Sequence, residues 1–211
     1  FVGTLLHRFH QAVFPLPGGD KLGNRPLDRH FDGLKALGAQ VKFQGDMCEI
    51  SSPQLRGAAY TFTKPSHTGT EALIMAAVLA EGKTTIRNAA LEPEIDDLIA
   101  FLNQMGAKIK RTRHRTIEII GVTQLRPTIY RIMPDRNEAV SYACAAIATK
   151  GDIIVENAKA AHLEAFLDKL KAIGGGYDTG NFGIRFYYQQ SLQATDIITG
   201  AHPGFMTDWQ P

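Results

Sequence analysis

The sequence predicts an α/β (α+β) fold built from repeated units of about 68 residues, in which helices pack on mixed sheets. Gly38, Gly106 and Gly174 end three similar stretches and lie 68 residues apart (106 − 38 and 174 − 106). In each stretch a helical pattern stops at the glycine and an apolar run follows, which predicts a helix and then a strand. Gly82 and Gly151 mark a second helix-to-strand turn, 69 residues apart (151 − 82). Repeats of this length are supersecondary units that bury their apolar faces against one another.

Hairpin patterns lie between these glycines. Short apolar runs flank turn residues at Gly45 and again at Gly180, which predicts antiparallel two-stranded hairpins. A third hairpin is expected between Ile109 and 116–120, with the basic run 110–115 as its solvent-exposed turn. Each unit is therefore predicted to have the order helix, hairpin, further strand, helix, strand.

The second helix of each unit is predicted to begin at a capping signature. Thr68 and Asp135 each offer a side-chain oxygen to a first turn. Glu71 and Glu138 follow three residues later, so that the oxygen and the glutamate can each satisfy a free amide. The same pattern recurs at 207–210 and predicts the start of a third such helix.

The third helix start lies next to the last residue of the sequence, so we expect the chain to be a fragment of a longer protein. The predicted repeat units are 15–90, 91–158 and an incomplete 159–211, and 1–13 has the pattern of the end of a preceding unit. Such units pack on one another, so they are expected to form one truncated domain.

Composition limits the classes of protein to which the chain can belong. Its 211 residues are 44% hydrophobic, which is enough for a buried core, and its net charge is only +2. Apart from 110–115 the basic residues are dispersed, so no nucleic-acid partner is expected. Cys48 and Cys144 are isolated, which argues against a metal site and a disulfide framework and is typical of the cytoplasm. No apolar run approaches the ~20 residues of a membrane-spanning helix, so no membrane association is expected.

The most unusual stretch is 16–30, in which three glycines, two prolines and six ionisable residues share fifteen positions. Glycine allows the backbone to approach a ligand closely, and proline fixes the local direction of the chain. This composition suits a loop that handles an anion and a proton, but an ordinary glycine-rich surface loop is an equally good interpretation. Likewise, Asp20 could form only an Asx-turn, and Arg25 could pair only with Asp28.

Five ordered motifs resemble the family of UDP-N-acetylglucosamine 1-carboxyvinyltransferases, which are enolpyruvyl transferases. The motifs lie at 17–30, 79–82, 88–95, 130–136 and 202–208. The first has the pattern Pro-Gly-Gly-x-x-x-Gly-x-Arg-Pro-x-Asp-x-His. Two positions differ from the usual family pattern. Most members have cysteine and a minority have aspartate where this chain has Asp20, and relatives usually have glycine where it has Thr68.

The resemblance implies a fold of two lobes with three repeat units each, arranged as inside-out α/β barrels that face one another across a cleft. Residues 1–211 would then be most of one lobe of the enolpyruvyl-transferase type, and their missing partner would be the second lobe of the same enzyme. Such a fragment is expected to be inactive by itself.

The resemblance also implies an activity. The enolpyruvyl group of phosphoenolpyruvate would move to the 3-hydroxyl of UDP-N-acetylglucosamine, the first committed step of peptidoglycan precursor synthesis, without a metal or an organic cofactor. Two alternatives stay open. One is the related shikimate-pathway transferase, whose lysine- and serine-containing phosphate loop is not seen in this sequence. The other is a scaffold or binding module of the same fold that lacks catalysis.

The resemblance assigns roles to residues by their position in the motifs. Asp20 matches the loop position credited with proton donation and adduct formation, Arg25 matches an arginine that contacts phosphoenolpyruvate, and Asp208 matches the acceptor of the 3-hydroxyl proton. The positions that match substrate-binding segments are Arg25, Pro26, Leu27, Asp28, Arg29, His30, Lys64, Pro65, Ser66, His67, Thr207 and Asp208. Candidates for supporting roles near helix starts are Glu92, Asp135 and Arg136. Helix capping is the structural alternative for Ser66, Thr68 and Asp208.

Overall fold

The computed structural model, which describes residues 1–16 and 27–206, contains alternating helices and strands. The helices are α1 Val2–Phe9, α2 Asp28–Ala36, α3 His67–Ala77, α4 Pro93–Gln104, α5 Arg136–Ala148 and α6 Glu164–Ala172, with a 3₁₀ turn at Ala160–His162. The strands are β1 Gln11–Pro15, β2 Gln40–Gln44, β3 Met47–Ser51, β4 Ala59–Thr61, β5 Lys83–Arg87, β6 Lys108–Arg113, β7 Thr116–Ile120, β8 Asp152–Glu156, β9 Gly175–Gly180 and β10 Gly183–Tyr188. None of the described helices is long and apolar enough to cross a membrane.

Three sheets share one design. In each, the chain forms a strand, then a helix, then a hairpin of two strands. The first strand pairs antiparallel with the second strand of the hairpin. The strand orders are β1-β3-β2, β5-β7-β6 and β8-β10-β9. The middle sheet is mixed, because β4 adds to β5 in parallel. The predicted α/β fold of helices and mixed sheets is therefore confirmed.

The predicted further strand forms in only one of the described repeats, where it is β4. The corresponding stretch 121–135 contains no strand, and 189–206 contains only an isolated bridge between Thr199 and Phe205. Pro127 and Pro134 lie in the first of these stretches. Proline has no amide hydrogen to donate to a neighbouring strand, which disfavours sheet pairing there.

The basic run 110–115 was expected to be a solvated turn, and this prediction is wrong for most of the run. Its first four residues belong to β6, and only the last two form the turn. The reason is that Arg111 lies on the inner side of β6 and its charge is compensated there. Its guanidinium donates to the Asp96 carboxylate at 2.8 Å and to the Ala90 carbonyl at 3.2 Å. A cation can therefore continue the strand without an unpaired charge.

The repeat glycines mark helix ends as predicted. Gly38, Gly106 and Gly174 have φ values of 93°, 99° and 94°, a conformation that side chains with a β-carbon disfavour. The second recurring turn is less regular. Gly82 has a φ of 94° in the first copy of this turn. In the second copy the positive φ, 55°, belongs to Lys150 and not to Gly151.

The chain divides into two compact units, Phe1–Arg131 and Ile132–Pro211, and each has its own apolar core. In the first unit, buried residues of α1 to α4 pack with the inner faces of the first two sheets. In the second, α5 and α6 pack on the third sheet. Each fully buried leucine, isoleucine or phenylalanine contributes about 1.5–3 kcal/mol relative to exposure. The break falls inside the predicted unit 91–158, and the assignment of 1–211 to one lobe stays a prediction.

Gly57→Ala is expected to destabilise the first unit by about 1–3 kcal/mol, the usual cost of overpacking. A β-carbon on Gly57 would lie 2.4 Å from the carbonyl oxygen of Lys83 and 2.6 Å from its amide nitrogen. The backbone would therefore have to move apart where β5 begins. Chemical denaturation measures the free energy of unfolding. Gly200→Ala is the control, because a β-carbon there meets no atom within 4 Å, and equal stability of the two variants would contradict the packing.

Candidate functional site

The candidate residues fall into three groups. Outside the described residues lie Asp20, Arg25, Pro26, Thr207 and Asp208. In the first unit, next to the starts of α2, α3 and α4, lie Leu27, Asp28, Arg29, His30, Lys64, Pro65, Ser66, His67 and Glu92. At the start of α5 in the second unit lie Asp135 and Arg136. The two described groups are considered separately below.

The amino ends of α2 and α3 lie side by side. The Nε2 atom of His30, in the first turn of α2, is 3.1 Å from Oγ1 of Thr68, in the first turn of α3. Further along both helices, a β-carbon on Gly33 would lie 2.2 Å from Cδ1 of Leu73. The helices therefore run in the same direction. The two predicted substrate-binding segments of the first unit meet at this end.

Ser66, and not Thr68, is the cap of α3. The backbone of Ser66 is extended, and its Oγ accepts a hydrogen bond from the Gly69 amide at 3.2 Å. The amide and the hydroxyl of Thr70 both donate to the Ser66 carbonyl, at 2.9 and 2.7 Å. The capping prediction for Thr68 is wrong because the helix begins at His67, one residue before the predicted cap.

The first turn of α3 has two amides without a hydrogen bond to the described part of the chain. In the part of the chain that the structure describes, the amides of His67 and Thr68 make no hydrogen bond to backbone outside the helix. The positive end of the helix dipole lies at the same place. Lys64, two residues before the cap, is exposed and adds a cation. This combination of donors and positive charge suits an anion such as a phosphate.

Carboxylates surround His67. Its Nε2 forms an ion pair with Glu71 at 3.4 Å, one turn further along α3. The Ala90 amide donates to a threonine hydroxyl of α3 at 3.1 Å, which ties the chain before α4 to this end of the unit. Glu71 raises the pKa of His67 above its ordinary value, Glu92 and Glu94 add to this effect, and burial opposes it.

Glu71→Gln is expected to lower the pKa of His67. A histidine with a raised pKa contributes stability that is complete below the unfolded value of about 6.5 and is lost as the pH rises through the folded value. The variant should therefore lose stability at low pH and little at high pH. NMR titration of the His67 ring measures its pKa, and Glu81→Gln, at an exposed carboxyl, is the control. An unchanged His67 pKa in Glu71→Gln would contradict the ion pair.

His30 has the opposite electrostatic setting. Burial lowers the pKa of its imidazole below the ordinary value, a hydrogen bond with the backbone of Thr68 opposes this, and the charge of Arg29 adds to the lowering. The ring is therefore neutral at neutral pH. Its Nδ1 atom is buried and has no hydrogen-bond partner among the described residues.

In the second unit, Asp135 caps α5 as predicted. Its carboxylate accepts hydrogen bonds from the amides of Asn137 at 2.7 Å and Glu138 at 3.4 Å. A carboxylate at this position also interacts favourably with the helix dipole. Asp135 thus has a structural role that accounts for its residue type.

Arg136, the first residue of α5, is only 3% exposed. Both terminal nitrogens of its guanidinium lie 3.5 Å from the sulfur of Met206. Met206 directly precedes Thr207 and Asp208 in the sequence. Arg136 therefore contacts the residue next to the segment that carries a predicted catalytic carboxylate.

The sequence patterns do not indicate that Glu71 and Thr68 contact candidate site residues. Glu71 appears in the sequence only as part of a capping signature, although its i, i+4 spacing from His67 is typical of an ion pair. No local pattern indicates the contact of Thr68 with His30, because the residues are 38 positions apart. Among the described residues, no group of three or more His, Cys, Asp or Glu residues is placed to hold a metal ion.

Relatives of known identity were found for the whole chain. A protein of Carboxydothermus hydrogenoformans named UDP-N-acetylglucosamine 1-carboxyvinyltransferase 1 is 44% identical over 211 residues, which is 100% of this chain and 50% of the relative. Proteins named UDP-N-acetylglucosamine 1-carboxyvinyltransferase from Chlamydia abortus and Myxococcus xanthus are 43% and 41% identical, each over 99% of the chain. The chain covers 48% and 50% of them, so it spans about half the length of the curated relatives it matches.

Solved structures show the same fold. The enolpyruvyl transferase NikO from Streptomyces tendae superposes with a TM-score of 0.80 at 19% identity, over 98% of this chain and 50% of that one. The EPSP synthase of Acinetobacter baumannii superposes with a TM-score of 0.65 at 23% identity, over 88% of this chain and 43% of that one. The resemblance to UDP-N-acetylglucosamine 1-carboxyvinyltransferases is confirmed by the sequence relatives. A family model described as EPSP synthase (3-phosphoshikimate 1-carboxyvinyltransferase) matches residues 2–211, and the chain therefore belongs to that family.

Proposed function

We propose that the full-length protein containing this chain transfers the enolpyruvyl group of phosphoenolpyruvate to the 3-hydroxyl of UDP-N-acetylglucosamine. The observation that carries the proposal is the meeting of α2 and α3 at their amino ends, 3.1 Å apart at His30 and Thr68, because both predicted substrate-binding segments lie there. The named relatives, which are 41–44% identical over nearly the whole chain, support the choice of acceptor.

The sugar nucleotide would bind across these two helix ends. The free amides of His67 and Thr68 and the exposed Lys64 suit its diphosphate, whose negative charge the dipole of α3 also favours. Asp28 and Arg29, in the first turn of α2, would offer an acceptor and donors to the rest of the nucleotide.

The chemistry needs a base, an acid and cations. In this proposal Asp208 takes the proton of the 3-hydroxyl, and the oxygen of that hydroxyl bonds to C2 of phosphoenolpyruvate. Asp20 gives a proton to the methylene carbon. The Asp20 carboxylate then takes back a proton from the new methyl group of the tetrahedral intermediate, as the bond from C2 to the phosphate oxygen breaks and its electrons leave with the phosphate. This restores the double bond and releases phosphate. Arg25 holds the phosphate or the carboxylate through both terminal nitrogens.

Arg136 is proposed to support Asp208. Arg136 contacts Met206, which precedes Asp208 by two positions in the sequence. A guanidinium near a carboxylate favours its ionised form, which a general base must have. Asp135 would act only by fixing the start of α5. Glu92 makes no side-chain cap on α4 and would act through its charge, which helps to raise the pKa of His67.

We place this reaction in the cytoplasm, at the first committed step of peptidoglycan precursor synthesis, without a nucleic-acid or membrane partner. The 211-residue chain would be most of one lobe and would need the second lobe to enclose both substrates. Without that lobe, water exclusion and part of the positive charge around the phosphate are missing. The chain alone is therefore proposed to be inactive.

A second candidate acceptor is 3-phosphoshikimate. It is favoured by the description of the matching family model and by the likeness to EPSP synthase structures. The two acceptors differ in that only the sugar nucleotide carries a diphosphate and a base. A non-catalytic binding module is the remaining alternative.

Phosphate release from phosphoenolpyruvate by the full-length protein tests these candidates. Release is expected with UDP-N-acetylglucosamine and not with 3-phosphoshikimate, and the 211-residue chain should give none with either. Release with 3-phosphoshikimate alone would overturn the choice of acceptor. If the full-length protein binds UDP-N-acetylglucosamine but releases no phosphate with either acceptor, the binding-module alternative is supported instead.

A further inference from the structure

The contact between His30 and Thr68 ties together the two predicted substrate-binding segments of the first unit. His30 lies in the first turn of α2 and Thr68 in the first turn of α3, and the two residues are 38 positions apart in the sequence. A second connection runs nearby, from the Tyr60 hydroxyl to the Arg29 carbonyl, but at 3.4 Å it is long for a hydrogen bond between oxygens. The His30–Thr68 bond, at 3.1 Å, is the shorter of the two polar ties.

Packing alone does not fix the ring of His30. The ring lines a cavity of about 320 Å³ between α1, α2 and α3, whose wall is mostly apolar. Its Nδ1 has no hydrogen-bond partner among the described residues, and its Nε2 contacts the Thr68 hydroxyl. Without the Thr68 hydroxyl, Nε2 would lose this contact as well, and the ring would be less restrained from turning into the cavity.

We propose that the His30–Thr68 hydrogen bond is a latch that holds the start of α2 against the start of α3 and sets the spacing between the two sugar-nucleotide-binding segments. The identity of the ligand rests on the proposed function, whereas the latch itself rests on the contact between His30 and Thr68. His30 and Thr68 are positioning residues here, because they act on the ligand through the segments that they hold.

The latch should affect KM more than kcat. The spacing of two binding segments changes the affinity for substrate and transition state alike, which is the signature of uniform binding. Loss of this one intramolecular hydrogen bond is expected to raise the KM for UDP-N-acetylglucosamine about fivefold, which corresponds to about 1 kcal/mol.

The test compares Thr68→Val with Thr68→Ser in the full-length protein. Valine keeps the shape of threonine and removes the hydroxyl, whereas serine keeps the hydroxyl and removes the methyl group. The first readout is amide hydrogen exchange at His30 and Phe31, whose amides both donate to the Leu27 carbonyl in the first turn of α2. The second is the kinetic pair kcat and KM for UDP-N-acetylglucosamine.

Faster exchange and a raised KM in Thr68→Val, with both restored in Thr68→Ser, are the expected results. Equal exchange in the two variants would overturn the latch, whatever the kinetics show. A loss in kcat at unchanged KM would overturn its positioning role. If exchange differs but the unmodified protein does not use UDP-N-acetylglucosamine, the proposed function fails and the bond between the two helix starts stands.

Discussion

The full-length protein is expected to resist fosfomycin, and its Asp20→Cys variant is expected to be inactivated by the drug with time. Fosfomycin alkylates the loop thiol of cysteine-containing enolpyruvyl transferases, because a thiolate opens its epoxide. A carboxylate is a much poorer nucleophile toward that carbon. An incubation that fully inactivates Asp20→Cys should therefore leave the unmodified protein active.

Time-dependent loss of phosphate release measures this difference. The two thiols of this chain, Cys48 and Cys144, should contribute little, because burial raises the pKa of both and so disfavours the thiolate. Asp46→Cys is a matched control, since Asp46 is an exposed aspartate in a hairpin turn. Equal inactivation of the unmodified protein and Asp20→Cys would show that Asp20 does not occupy the alkylated position.

The same substitution is expected to move the pH optimum of phosphate release upward. A free aspartate has a pKa of about 3.9 and a free cysteine about 8.5, so Asp20 holds a proton at neutral pH only if its surroundings raise its pKa. The unmodified protein should accordingly work best at a lower pH than Asp20→Cys. A pH–rate profile of both proteins decides this, and coincident profiles would remove Asp20 from the role of acid.

Asp208→Asn is expected to lower kcat by about 10²–10⁴, the usual contribution of a general base. An amide keeps the size of the side chain and its ability to cap a helix, but it takes no proton from the sugar hydroxyl. Binding of UDP-N-acetylglucosamine should therefore persist while turnover is lost.

Steady-state kinetics and equilibrium binding of the full-length variants separate these effects. Asp196→Asn serves as the control, because Asp196 is an exposed aspartate of the second unit and has no proposed role. If Asp208→Asn turns over as fast as Asp196→Asn, the 3-hydroxyl proton goes elsewhere. If it fails to bind the nucleotide, the loss belongs to binding and the assignment of Asp208 as base is wrong.

Much of the fold follows from patterns local in sequence. Gly38, Gly106 and Gly174 all take the positive φ that ends a helix, and the hairpins follow them. The cap at Asp135 was predictable because side chain and amides are only two and three residues apart. Local physical chemistry decides such features, so a single sequence contains the information.

Features that depend on distant partners were not predictable in the same way. The inward turn of Arg111 depends on Asp96, 15 positions earlier, and a hairpin pattern does not reveal that partner. The contact of His30 with Thr68 depends on the packing of two helices. The division after Arg131 depends on which side chains share a core, which periodicity does not specify.

The shared design of the three sheets bears on how the chain folds and where it can be divided. Each sheet pairs residues 36, 33 and 31 positions apart (49 − 13, 118 − 85 and 185 − 154), at Val13–Glu49, Thr85–Glu118 and Ile154–Arg185. Bringing such distant residues together costs chain entropy before the strands can pair. The hairpins should therefore form first, and β1, β5 and β8 should pair with them later. A cut between β5 and α4 would leave an unpaired strand edge on both fragments, and such edges invite aggregation. A cut within 121–135, where no strand forms, would leave each of the three described sheets whole.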